Sequence, residues 1–115
     1  MSDADNVIAG SEQVDGGEVV RLAGDIDFSR SPTLREGLLK RIGKKPARLI
    51  VDLSAVPYMD SSGVATLVEA LQAQRQAGGK LVLCNLQSKV RGIFEIAKLD
   101  MVFTIVDDVE AAASA

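Results

Sequence analysis

The sequence contains no histidine, no tryptophan, one cysteine, one tyrosine and three phenylalanines in 115 residues. Without an imidazole the chain alone cannot build a Ser-His-Asp triad, a Cys-His pair, a phosphohistidine relay or a histidine-ligated zinc site. A hydrolase made from it would need a lysine-activated serine or paired carboxylates, and no spacing singles out either. The lone thiol, Cys84, provides no disulfide framework and no metal cluster; inside Leu81-Val82-Leu83-Cys84 it reads as a small core hydrophobe. Scarce aromatics leave no platform for stacking bases. The net charge of −3 lacks the basic excess that phosphate-backbone binding requires, so no nucleic-acid partner is expected. The cluster Lys40-Arg41 with Lys44-Lys45 complements a helix C-terminus instead. No apolar run reaches the length of a membrane span, and Met1-Ser2-Asp3-Ala4-Asp5-Asn6 lacks the charged-then-apolar order of a signal peptide. A cytoplasmic protein with no membrane insertion is the expectation.

What is present is a core made of Leu, Ile, Val and Ala, with 47% hydrophobic and 25% charged residues, the balance of one ordinary domain. Val19-Val20-Arg21-Leu22-Ala23 reads as a strand, preceded by a short edge strand near Val7-Ile8 that turns through Asp15-Gly16-Gly17. Ser31-Pro32 predicts an N-cap with proline at the first helical position. Leu34, Leu38 and Ile42 then mark a helix closed by Gly43 and Pro46. Leu49 to Leu53 is a strand covered on both faces, and Pro57-Tyr58 turns out of it. A helix from about Ser62 to Ala77 carries Val64, Leu67, Val68 and Leu71 on one stripe and stops at Gly78-Gly79. The strand Lys80 to Cys84, a helix with Val90, Ile93, Phe94 and Ala97, a strand Val102 to Val106 and a capping helix over Asp107 to Ala115 complete the pattern. Alternating strands and helices predict a single α/β domain over 1–115, with a mixed, mostly parallel sheet, crossover helices and a flexible leader at residues 1–6.

In such sheets function gathers in the loops beyond the carboxyl ends of strands. Two loops qualify: Gly24 to Ser31, and Ser54 to Gly63. The second ends in Asp60-Ser61-Ser62-Gly63, where a helix begins and its unpaired N–H groups and dipole can stabilise an added phosphate dianion. Asp and Ser are also preferred N-cap residues, so the cluster taken by itself reads first as a plain helix cap.

At these loops the sequence resembles the STAS domain, and within it the bacterial anti-sigma factor antagonists. Gly24-Asp25-Ile26-Asp27 is similar to the family's Gly-Glu-Leu-Asp turn, and Pro57-Tyr58-Met59-Asp60-Ser61-Ser62-Gly63 to its phosphorylation loop. Lys89-Val90 through Phe94, with Leu99 and Phe103 to Val106, matches its C-terminal pattern, so that residues 18–110 lie on the family. Lys98-Leu99 departs from it, since a helix-ending glycine is common there. The resemblance implies a regulator that is not an enzyme and needs no cofactor or metal. Unphosphorylated, it would bind an anti-sigma factor that is also a serine kinase and so free a sigma factor. Phosphorylation at Ser61 would end binding, and a PP2C-type phosphatase would reverse it. The implied partner surface is Asp25, Asp27, Ser29, Met59, Asp60, Ser61, Ser62 and Gly63, on a monomer or weak dimer. Two alternatives stand beside this: a STAS docking subunit of a transporter, lipid-trafficking or stress-signalling complex, and a receiver-like phosphoryl acceptor using Asp52 or Asp27. The last lacks the adjacent acidic pair that a Mg²⁺ site at strand ends requires.

Overall fold

The computed structural model describes residues 7–115; the leader expected at residues 1–6 lies outside the described residues. The chain opens with an antiparallel hairpin, β1 (Ile8–Val14) and β2 (Gly17–Ala23), which reverses at Asp15-Gly16, where Gly16 adopts φ +96°. Only Val7-Ile8 was expected as strand. The remainder of β1 carries Gly10-Ser11-Glu12-Gln13, polar residues suited to a sheet edge, and holds its place through the backbone ladder to β2 rather than through burial.

Three βαβ units follow: α1 (Ser31–Ile42), β3 (Arg48–Ala55), α2 (Ser61–Gln76), β4 (Lys80–Cys84), α3 (Ser88–Ile96) and, after a 3₁₀ turn at Leu99–Met101, β5 (Thr104–Val106). The sheet order is β1-β2-β3-β4-β5, with β2 to β5 parallel, as the alternation predicts. Each crossover therefore steps to the neighbouring strand in one direction, which brings α1, α2 and α3 to a common face. Period-two alternation sorts the strand residues accordingly. Val20, Leu22, Val51, Leu53 and Leu83 pack with Leu34, Leu38, Leu67, Leu71 and Phe94 of the helices. Val19, Ile50, Val82 and Cys84 face the other way, onto Ala112 of the short helix α4 (Val109–Ala113). Arg48 tethers α4: its guanidinium donates to the carbonyls of Ala113 at 2.9 Å and Ala115 at 2.7 Å, and to Gly16 of the hairpin at 2.8 Å.

Several helix ends differ from expectation. Ser31 is not the N-cap of α1; Arg30 holds that position without a side-chain cap, and Ser31 is buried as the first helical residue. Gly43 ends α1 with φ −61°, so no left-handed glycine is needed there, whereas Gly78 beyond α2 does take φ +87°. Lys98 has φ +59°, a left-handed conformation that ordinarily favours glycine. The last strand starts at Thr104, because the 3₁₀ turn takes up Leu99–Met101 first, and α4 is shorter than expected, starting from an N-cap at Asp108. Among the described residues no helix is long and apolar enough to cross a membrane.

Candidate functional site: two stitched loops at the end of the parallel sheet

β2 and β3 are parallel neighbours, so the loops that leave them lie at the same end of the sheet. Main-chain bonds join these loops. Gly24 N–H donates to Ala55 at 2.9 Å, Ile26 N–H to Tyr58 at 3.0 Å, and Asp60 N–H back to Ile26 at 3.0 Å, making Ile26 and Met59 a parallel bridge beyond the strands proper. Both side chains point into the core, Met59 with 1% exposure. Gly63 locks the arrangement: a Cβ there would stand 2.6 Å from Met59 Cγ and 2.8 Å from Ile26 Cγ2, too close for any other residue without movement. Met59 and Gly63, expected on a partner surface, are instead buried beneath the exposed residues of the loop and support it.

The exposed residues sit on two turns of the same design. Asp60 is the N-cap of α2, and its Oδ1 accepts from the Ser62 amide at 2.9 Å, the Ser62 hydroxyl at 2.6 Å and the Gly63 amide at 3.3 Å. In the other loop Asp27 Oδ1 accepts from the Ser29 amide at 3.0 Å, the Ser29 hydroxyl at 2.6 Å and the Arg30 amide at 3.3 Å. Each is an Asp-x-Ser unit in which the serine two residues on closes the turn. The residue between the two is turned outward: Phe28 in one loop, Ser61 in the other, both exposed.

Ser61 is the first residue of a helix of 16 residues, and no hydrogen bond among the described residues engages its hydroxyl. Ser62, by contrast, spends its hydroxyl on Asp60. The serine bonds hold both carboxyls below the usual carboxylate range, the side-chain bond from Ser62 acting most strongly on Asp60 and that from Ser29 on Asp27. The Phe28 backbone N–H in the other loop also lowers Asp60, more weakly than the Ser62 and Gly63 bonds. Partial opposition comes from Asp60 itself, whose charge raises Asp27, so the two carboxylates sense each other. Asp25 is exposed beside them, and its carbonyl accepts from Arg30 Nη1 at 2.6 Å. This second anchor, Arg30, and the exposed Phe28 were not singled out by sequence reasoning; the repeated Asp-x-Ser spacing was the available signal.

Asp52, weighed as a phosphoryl acceptor, is buried within β3, where its Oδ1 accepts from the Ser54 amide at 3.0 Å and Asn85 Nδ2 at 3.1 Å. Among the described residues no three His, Cys, Asp or Glu side chains stand together as a metal site. Burial, with help from Asp52 and Asp108, pushes the Cys84 thiol up to about 12 and leaves it unreactive at neutral pH.

The mixed sheet, with α1, α2 and α3 on one face and α4 on the other, and the capped, outward-facing serine where β3 hands over to α2, are the features of a small α/β domain with its exposed loops at the carboxyl end of the strands. The chain belongs to the STAS domain family, whose model matches residues 10–112. Its relatives include a Bordetella bronchiseptica protein named as an anti-sigma factor antagonist, BtrV, 31% identical over 90% of this chain and 90% of the relative. The anti-sigma-B factor antagonist of Listeria monocytogenes is 36% identical over 73% of this chain and 74% of its own. Among solved structures, an anti-sigma factor antagonist from Mycobacterium paratuberculosis superposes with a TM-score of 0.83 at 25% identity, covering 91% of this chain and 89% of that one.

Proposed function

We propose that this chain is an anti-sigma factor antagonist that works by partner switching. In its unphosphorylated form it binds an anti-sigma factor with serine kinase activity through the two stitched loops and thereby releases a sigma factor. Phosphorylation of Ser61 by that partner ends the interaction, and a PP2C-type phosphatase restores it. The observation that carries this reading is the contrast between adjacent serines: Ser61 offers a free hydroxyl at the start of α2, while Ser62 is committed to Asp60. The names of the relatives support the same assignment.

The chemistry follows from charge. Phosphoserine adds roughly −1.5 to −2 charge to a surface that already carries Asp25, Asp27 and Asp60. A partner fitted to a neutral hydroxyl would have to bury an unpaired dianion, and about 2.7 kcal/mol of such penalty is a hundredfold in affinity. The test is to incubate the protein with ATP and the anti-sigma-type kinases of its own genome and to map phosphate by mass spectrometry. Phosphate is expected on Ser61. Ser61→Ala is expected to bind the kinase without being modified, and Ser61→Asp to bind at least about tenfold more weakly. Phosphate on Ser62, or normal modification of Ser61→Ala, would overturn the assignment.

A further inference from the structure

The two Asp-x-Ser turns do the same thing to different side chains. One holds out the hydroxyl of Ser61, the other the ring of Phe28, which is 77% exposed and is the most exposed aromatic of the described residues. Its backbone is held by the turn around Asp27, and its loop is joined through Ile26 to Tyr58 and Asp60, just before Ser61. Tyr58, 49% exposed, lies on the strand-like segment that pairs with Ile26. An apolar ring on a rigid loop loses little conformational freedom on contact, which is the property of side chains that dominate binding energy at interfaces.

The surroundings define what could receive it. Asp25, Asp27 and Asp60 lie in the same two loops as the ring, and Arg30 is the one basic residue that the sequence of those loops, 24–31 and 54–63, contains. We propose that Phe28 is the apolar anchor of the partner interface, seated in a hydrophobic pocket of the anti-sigma factor whose rim carries Lys or Arg. This rests on the partner-switching reading and divides its labour: Phe28 supplies affinity in both modification states, and Ser61 supplies the sign of the switch. The other large apolar side chains exposed among the described residues, Ile96 at the C-terminal end of α3 and Met101 and Val102 in the turn before β5, stand at the opposite end of the sheet from Ser61. They provide an internal control.

Calorimetry of the full chain against the kinase that binds the wild type tests the proposal. Phe28→Ala is expected to lose about tenfold or more in affinity, Phe28→Leu to recover most of it, and Met101→Ala to match the wild type. Amide spectra should confirm that each variant is folded, as expected for exposed positions. A loss under about tenfold for Phe28→Ala, or an equal loss for Met101→Ala, would overturn the anchor while leaving the switch intact. Failure of the wild type to bind any such kinase would instead overturn the partner-switching reading, and the anchor with it.

Discussion

At Asp27 and Asp60 one carboxylate oxygen collects three donors, two amides and a hydroxyl, in each loop. Such bonds favour the charged form and hold both groups below an unfolded value of about 3.9. A depressed carboxyl stabilises the fold at pH above the unfolded value, and that contribution disappears as the pH falls through the lower, folded one. The wild type is therefore expected to lose stability progressively below about pH 4. The double variant Asp27→Asn, Asp60→Asn, whose amide oxygens still accept from the backbone, should give a flatter curve there. Denaturant unfolding across the acid range measures both, and parallel curves would count against the carboxylates as the source. Neither the burial of Met59 nor the need for glycine at position 63 could be read in the sequence, because both follow from the pairing of Ile26 with Met59 across two loops separated by all of α1 and β3.

Among the elements, β3, β4 and α2 were legible because their burial is periodic or continuous, and local pattern reports burial directly. β1 was not, since an edge strand with a polar sequence owes its conformation to its neighbour. The start of α1 was misplaced by one residue. Asp27 organises the approach to the helix, taking the Ser31 amide on its carbonyl at 2.8 Å, and so removes the need for a serine cap. α4 depends most on a single side chain. Its last carbonyl, Ala113, and that of Ala115 just beyond the helix accept from Arg48 of β3. Arg48→Ala is expected to cost about 1.5–3 kcal/mol, the range for hydrogen bonds to charged groups. Hydrogen exchange should quicken in α4 while β3 and β4 stay protected; unchanged exchange in α4 would show that packing of Ala112 alone holds the helix.

For the whole molecule, all-in-one-direction crossovers place α1, α2 and α3 on one face and gather the loops that follow the parallel strands at one end of the sheet. Fold class was legible from alternation alone, whereas the candidate site was legible only as two loops, since which residues point outward depends on hydrogen bonds that join them. Phosphate at Ser61 would meet the α2 dipole, worth about 0.3–1 kcal/mol at an exposed site, against repulsion from Asp60 and Asp27. These oppose each other in water, so phosphorylation is expected to shift stability by less than about 1 kcal/mol in denaturant unfolding. NMR shift changes should stay within residues 57–64 and the Gly24–Ser31 loop. A loss of several kcal/mol, or shifts across the sheet, would mean that the phosphate works by reshaping the domain.

The bridge between Ile26 and Met59 also bears on timing. Because the two loops are one stiff plate, with buried side chains pinning it and Gly63 packed beneath, exchanging a hydroxyl for a phosphate ester requires no hinge to open and no latch to relax. Under the proposed reading the signal then has no memory in this protein's shape. Its delay is the time the kinase takes to transfer the phosphate and let go, its duration is the lifetime of the ester, and a phosphatase that removes the ester returns a surface already competent to bind.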